Sequence, residues 1–427
     1  MKIEELNLNP NLLKALNDLG FTEFTQIQEK CIPVILEGKD IFGHSSTGSG
    51  KTAAFGLPIF EKLECGKGIQ ALVLTPTREL CVQVTEALRS FAKFLHTKVA
   101  SVYGGVGIEP QIEAVKKADI VVGTPGRILD HINRKTIHLN NVKFFVLDEA
   151  DKMFEMGFID DVEDIMKYIP SKKQTLLFSA TLPPTVMHII NRHLRSPVTI
   201  KGHVHVDKCL LKQVYYDLKT PEKFSLLVHL IKKNLKGLAI VFCGTRREVD
   251  VLSRNLSMQD IRAVPIHGGL TQNRRLKALE VLKGNDNAVL VATDVAARGL
   301  DIKNVSHVYN YDVPKSSEDY IHRIGRTARA GMQGDAVTLL TERDHENFRR
   351  VLSDRSIQIQ KVVPPHFEMV KFQRFHEKRE RGDGNFRVSR DHSKNTGFRG
   401  DSRDKSFGEE KKHFGNRSGS SRRRWNN

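Results

Sequence analysis

The chain has 427 residues, 39% hydrophobic and 27% charged, with a net charge of +17 and a pI near 9.6. That length calls for two or three domains, and no apolar stretch is long enough to span a bilayer, nor does a charged-then-apolar signal peptide open it. The positive surplus points to polyanionic partners, nucleic acid first.

Lys39–Gly43, KDIFG, reads as a short strand. His44–Thr52, HSSTGSGKT, follows as a glycine loop, and TAAFGLPIFEKL from Thr52 as a helix. Strand, glycine loop and helix form the context of a phosphate-binding loop, G-x-x-x-x-G-K-[ST], although Ser45 stands at the first glycine position. The backbone of Thr47, Gly48, Ser49 and Gly50 and the helix N-terminus suit phosphates. Lys51 suits the β- and γ-phosphates of ATP, and Thr52 suits Mg²⁺. Ser45 is harmless if its position does not require a positive φ.

Further apolar runs follow at Ala71–Thr75, Asp119–Thr124, Phe144–Glu149 and Thr175–Thr181, with helical patterns between them at Arg78–Leu95 and Pro110–Ala118. This alternation is the signature of βαβ units and a buried parallel sheet. The third run ends in VLDEAD, Val146–Asp151. Asp148 fits a second Mg²⁺ ligand, and Glu149 a base that handles the attacking water. An acidic turn alone would be unremarkable; paired with the loop at Lys51 it is not.

Lys201–Lys212 is more polar and reads as a linker, with 202–212 as its bounds. The pattern restarts at Leu238–Cys243, Ala263–Gly268, Ala288–Asp294, Val305–Tyr311 and Asp335–Leu340. The expected domains are therefore 1–201 and 213–365, two α/β domains with no sequence repeat read between them. From residue 366 a basic Arg/Gly/Phe/Ser-rich tail is expected to be disordered and to bind RNA. The last 57 residues carry +9 of the net +17, so over half the surplus lies there. Their aromatic residues, Phe372 and Trp425 among them, suit stacking on unpaired bases. Cys31, Cys65, Cys81, Cys209 and Cys243 form no C-x-x-C pair, which argues for a reducing, cytoplasmic compartment.

Over about residues 1–365 the chain resembles the DEAD-box RNA helicases. The motifs come in order: PTREL (Pro76–Leu80), GG (Gly104–Gly105), TPGR (Thr124–Arg127), DEAD (Asp148–Asp151) and SAT (Ser179–Thr181). VFCGTR (Val241–Arg246), QNRR (Gln272–Arg275), ATDVAARGLD (Ala292–Asp301) and HRIGRTAR (His322–Arg329) follow. The resemblance implies tandem RecA-like domains and an RNA-stimulated ATPase that separates short duplexes locally, with hydrolysis driving release. It implies that Gln28 reads adenine, that Asp301 binds the ribose, and that Arg326 and Arg329 are arginine fingers. Such fingers are worth about 10³ to 10⁵ in rate. It assigns RNA contacts to Arg78, Gly105, Thr124, Arg127, Arg246, Gly269, Gln272 and Thr293. It assigns coupling between the sites to Asp151, Ser179, Thr181 and His322. RNA would be held by its backbone, with little sequence preference. An ATP-gated clamp or annealing chaperone uses the same site, and the basic tail raises that reading. The chain departs from the family at Ile3 (usually aromatic), Phe24 (usually proline) and Ala328 (usually glycine). A positive φ at Ala328 would cost about 1 kcal/mol or more.

Overall fold

Short strands with every residue buried are the organising feature of the computed structural model. It describes residues 8–374 except 46–47, 203–209, 236, 284–286, 298–299, 301, 303 and 329–331. The tail from 375, Ile3, Thr47, Asp301 and Arg329 lie outside the described residues.

The first sheet has seven strands: β1 (Ile41–His44), β2 (Ala71–Leu74), β3 (Val99–Val102), β4 (Ile120–Gly123), β5 (Phe144–Leu147), β6 (Gln174–Ser179) and β7 (Val198–Lys201). The second also has seven: β8 (Leu211–Asp217), β9 (Leu238–Phe242), β10 (Ala263–Ile266), β11 (Val289–Ala292), β12 (Val305–Asn310), β13 (Gly334–Leu340) and β14 (Gln360–Lys361). Among the described residues every pairing is parallel. The orders are β3-β4-β2-β5-β6-β1-β7 and β10-β11-β9-β12-β13-β8-β14. Counted from its own first strand, each sheet reads 3-4-2-5-6-1-7, so the halves are structural repeats.

Period-two alternation feeds two cores per sheet. Val73, Val122, Val146 and Leu176 face one side, while Leu72, Val121, Phe145 and Leu177 face the other. In the second sheet Val241, Val291 and Tyr309 are opposed by Ile240, Leu290 and Val308 in the same way. Helices cover both faces, as an all-parallel sheet requires. Phe24 is buried in the first core, where its ring does a packing job.

Two expectations meet the structure directly. Ser45 is not among the positive-φ residues, so its side chain is tolerated, whereas Gly48 and Gly50 do take positive φ. Ala328 has φ +53 and is buried, so the chain keeps a non-glycine residue in left-handed backbone. Its strain of about 1–2 kcal/mol is opposed by about 0.8 kcal/mol for the buried methyl and about 0.5–1 kcal/mol of glycine's chain entropy. Ala328→Gly should therefore leave stability within about 0.5 kcal/mol, while Ala328→Val should cost more than about 2 kcal/mol. Urea unfolding of both variants checks the balance.

The ordered chain also runs past the expected boundary at 365. Phe372 packs on Phe224, ring centroids 5.0 Å apart, and Phe367 lies 6.4 Å from His229. The Val370 amide donates to Ser225 Oγ at 2.9 Å, and Asn255 exchanges two hydrogen bonds with the backbone of Gln373. Phe372 is thus spent on the fold and is unavailable for stacking on bases, correcting its place among the tail aromatics. Ending the chain after Pro365 should cost about 2–4 kcal/mol relative to ending after Arg374, since it strips two half-buried rings. Equal urea midpoints for the two truncations would contradict that packing.

Candidate ATP and RNA site

In parallel sheets, ligand sites gather beyond the carboxyl ends of the strands. Nearly every motif lies there. The glycine loop follows β1, Arg78 follows β2, Gly104–Gly105 follow β3, Thr124 follows β4 and Asp148 follows β5; Ser179 ends β6. In the second sheet Arg246 follows β9, Gly268–Gly269 follow β10, Thr293 follows β11 and Asp312 follows β12.

The phosphate loop is built from three layers of contact. Gly50 (φ +94) caps the helix Lys51–Lys62. Gln28 donates from Nε2 to the Gly50 carbonyl at 3.0 Å and accepts from the Thr25 amide at 2.9 Å. Thr25 Oγ1 donates to the Ser49 carbonyl at 2.9 Å. Gln28 is buried here and bound to the loop. Ser45 is also buried; its amide donates to the Ser179 carbonyl, and its Oγ accepts from Ser49 at 3.2 Å. Thr52 is the half-buried second residue of the helix.

Lys51 and Asp148 are both buried, with Nζ and Oδ1 3.6 Å apart, and neither of those atoms has a hydrogen-bond partner. Burial pushes the Asp148 carboxyl above the usual carboxylate range, against the pull of Lys51. Buried polar atoms left without bonds are costly and call for an explanation. An ammonium and a carboxylate converging on one spot suit phosphate and a divalent cation respectively.

Glu149 sits in left-handed backbone at φ 53, ψ 50 and caps the helix Ala150–Glu155. Its Oε2 lies 3.3 Å from Lys152 Nζ, both side chains being buried. Burial lowers the Lys152 ammonium below its usual range; Glu149 opposes this, while the charge of Arg326 adds to it. Arg326 therefore stands close to the acidic loop, although it belongs to the second sheet's half. One of its NH groups donates to the Leu300 carbonyl at 2.9 Å.

Asp151 joins that loop to the next. Its Oδ2 accepts from the amides of Ala180 (3.1 Å) and Thr181 (2.8 Å) and from Thr181 Oγ1 (2.8 Å). Ser179 Oγ donates to the Thr181 carbonyl at 2.7 Å. Arg323 is structural: buried, it forks onto Asp294 at 2.5 and 2.7 Å and faces the Phe242 ring. His322 is half-buried beside it.

The residues expected on an RNA track repeat between the halves. Thr77 and Thr245 cap helices whose first residues are Arg78 and Arg246. Arg78 lies over Gly104–Gly105, where Gly105 has φ +84 and no room for a side chain. Arg246 lies over Gly268 in the same way. The Gly269 amide is turned back onto His267 Nδ1 at 3.1 Å. The repeat is visible in sequence as YGG (Tyr103–Gly105) against HGG (His267–Gly269), each after an apolar run, a signal that motif-by-motif reading passes over. Arg127 is largely buried and donates twice to the Val106 carbonyl at 3.2 Å.

Two buried charges at the site, Lys152 and Glu79, were not singled out in the sequence. Glu79 is 1% exposed, and it receives Gln272 Nε2 at 2.8 Å and the Arg275 guanidinium at 2.9 Å. Gln272 thus serves here as a tie between the two halves. Nothing marks Glu79 beyond its place in PTREL, because its partners lie 193 and more residues away. Glu79→Ala and Arg275→Ala should each raise the RNA concentration for half-maximal ATPase about tenfold or more. The double variant should be little worse, with a coupling of about 1–3 kcal/mol. Strict additivity would sever the proposed tie.

Comparison with known proteins agrees with this geometry. The DEAD/DEAH box helicase family matches residues 25–189, and the helicase conserved C-terminal domain matches residues 222–331. The chain is 48% identical over 370 residues to the ATP-dependent RNA helicase CshA of Listeria monocytogenes, covering 86% of this chain and 71% of that protein. It superposes on S. cerevisiae Dbp5 bound to RNA and ADP BeF3 with a TM-score of 0.77 at 32% identity, covering 85% and 96% of the two chains. A DEAD box protein from the hyperthermophile Methanococcus jannaschii scores 0.53 at 42% identity, covering 85% and 99%. The chain belongs to the DEAD-box family of ATP-dependent RNA helicases.

Proposed function

We propose that the two halves share one ATPase site that is complete only when they close on RNA. The observation carrying this reading is the buried, unbonded pair Lys51 Nζ and Asp148 Oδ1 at the mouth of the glycine loop. Backbone amides of the Gly48–Gly50 loop and Lys51 bind the β- and γ-phosphates, and Thr52 and Asp148 would hold Mg²⁺, which would neutralise phosphate charge. Glu149 orients the attacking water and takes its proton on a carboxylate oxygen. Water oxygen bonds to the γ-phosphorus as its bond to the β-γ bridging oxygen breaks, and ADP leaves with that oxygen. Arg326, with Arg329, meets the negative charge gathered in the transition state. Gln28 and Asp301 are the residues for adenine and ribose.

RNA lies along Arg78, Gly105, Thr124 and Arg127 and then along Arg246, Gly269 and Thr293, with Gln272, expected among these contacts, instead buried against Glu79 and joining the two stretches. Hydroxyls, exposed amides and single arginines read sugar and phosphate rather than bases. Asp151 supports coupling, because a shift of the acidic loop on hydrolysis is passed to Ser179–Thr181 without an intervening flexible segment. His322 completes that relay. A first domain of 1–201 accords with a sheet that ends at Lys201, whereas the second sheet begins at Leu211, inside the expected linker, and its packing continues past 365 to Gln373. The buried thiols support a reducing, cytoplasmic setting: burial pushes Cys31 and Cys81 up to about 12. No helix among the described residues is long and apolar enough to cross a membrane.

Glu149→Gln tests the assignment. ATP affinity should hold, hydrolysis should fall at least about 10²-fold, and RNA should dissociate more slowly in ATP. Turnover at the wild-type rate would remove Glu149 from the mechanism.

A further inference from the structure

The opposite edge of the first sheet carries a second concentration of positive charge. Asp40 precedes β1, Lys143 precedes β5, Lys173 precedes β6 and Arg195 precedes β7. Together with Lys39 and Lys172 they line a cleft of ≈ 560 Å³ at the amino ends of the strands. β6 has six residues, so at about 3.3 Å per residue this cleft lies about 20 Å from the carboxyl-end motifs. It is separate from the ATP and RNA site.

The charges in the cleft are poorly compensated. Its one acid, Asp40, is buried and committed: one carboxylate oxygen accepts the Thr175 amide at 2.8 Å, and the other accepts the Arg195 amide at 2.7 Å. Arg195 donates its guanidinium to the Ser171 carbonyl at 2.7 Å, and Lys173 Nζ reaches the Pro170 carbonyl at 3.4 Å. Among the described residues no carboxylate pairs with the side chains of Lys172, Lys173 or Arg195. Lys39 and Lys143 pair only with the exposed Glu37 and Glu64, contacts that neutralise little in water. Burial, with the neighbouring Arg195 adding to it, pulls the Lys173 ammonium below its usual range against the opposing charge of Asp40.

The lining also excludes alternatives. It contains no aliphatic or aromatic side chain beside the lysine and arginine stems, only Gly38, Gln174 and Ser196. A docked peptide would find no apolar anchor, and a nucleobase no stacking platform. What remains is recognition of phosphates by charge, and RNA is the polyanion that this family handles. We propose that this cleft binds the sugar–phosphate backbone of RNA flanking the segment held across the carboxyl ends. A flank would need roughly six nucleotides to reach it, at about 3.4 Å per residue along a helical strand. The cleft thus adds affinity for structured or long RNAs without adding sequence preference.

The test compares full-length protein with the double variant Lys172→Ala/Arg195→Ala, both positions being exposed. A single strand of about 10 nucleotides, which fills only the core track, serves as the internal control. Its binding and its stimulation of ATPase should be unchanged. If it fails to stimulate the wild-type protein, the helicase reading itself has failed. On an RNA of about 40 nucleotides the variant should bind several-fold more weakly at low salt. The log K against log salt slope should flatten by about 1.4, the figure for two lost single-strand phosphate contacts. Superimposable long-RNA titrations overturn the proposal. So does binding of inorganic tripolyphosphate that disappears in the variant while the long-RNA curves coincide, which would make the cleft a small-anion site.

Discussion

A single carboxylate, Asp151, holds the catalytic edge of the first domain together. With three donors on one oxygen and the Lys152 amide on the other, it ties the end of β5 to the end of β6. The Ser179 carbonyl in turn takes the Ser45 amide, and His44 Nε2 lies 2.9 Å from the Ala180 carbonyl. The glycine loop, the acidic loop and the Ser-Ala-Thr loop are therefore one hydrogen-bonded unit. Charge-assisted bonds of this kind are about twice as strong as neutral ones. A displacement of any one of the three loops is therefore resisted by the other two.

The duplicated fold shows why only one half does chemistry. The helix after β8, Glu222–Asn234, carries Lys223 where the helix after β1 carries Lys51, and Asp312 follows β12 as Asp148 follows β5. The second pair survives as a contact, Nζ to Oδ1 at 3.2 Å, but it is sealed. Asp344 comes within 3.1 Å of the same ammonium, and the Gly244 amide takes the other oxygen of Asp312 at 2.8 Å. The Tyr311 ring closes over Lys223 at 4.8 Å. Its charges are satisfied within the protein, so the site offers nothing to phosphate. In the first half Lys51 Nζ and Asp148 Oδ1 are left without hydrogen-bond partners, and that difference, rather than any difference in fold, sets the two halves apart.

Much of this was legible in the sequence, because buried parallel strands leave unbroken apolar runs and phosphate loops need glycine at fixed places. β2, β4, β5, β6 and β9 through β13 were all signalled in this way. β3, β7, β8 and β14 were not. The burial of β7 and β8 is broken, with Lys201, Lys212 and Asp217 exposed, so their pattern resembles a linker. β14 has two exposed residues and exists only because β8 offers it a backbone edge. Phe372 looked like a tail residue because composition around it is polar; its partner Phe224 is 148 positions upstream, and no local pattern reports that contact. The same holds for Glu79 and Arg275. Chemistry concentrated in short motifs is readable, whereas contacts between distant segments await the fold.

Glu149 shows how the remaining strain is used. A non-glycine residue in left-handed backbone costs on the order of 1 kcal/mol or more and persists only where its surroundings impose it. Here the imposition comes from both sides: β5 delivers Asp148 to the Lys51 ammonium, and Asp151 three residues on is fixed to the next loop. The chain has only Glu149 and Ala150 in which to make the turn. The resulting conformation directs the Glu149 carboxylate toward Lys152 in the interior. At that distance the buried ammonium and carboxylate neutralise each other within the protein. Arg326 penalises the charged form of Lys152. Glu149, Lys152 and Arg326 are thus three charges of one electrostatic cluster to which both halves of the molecule contribute.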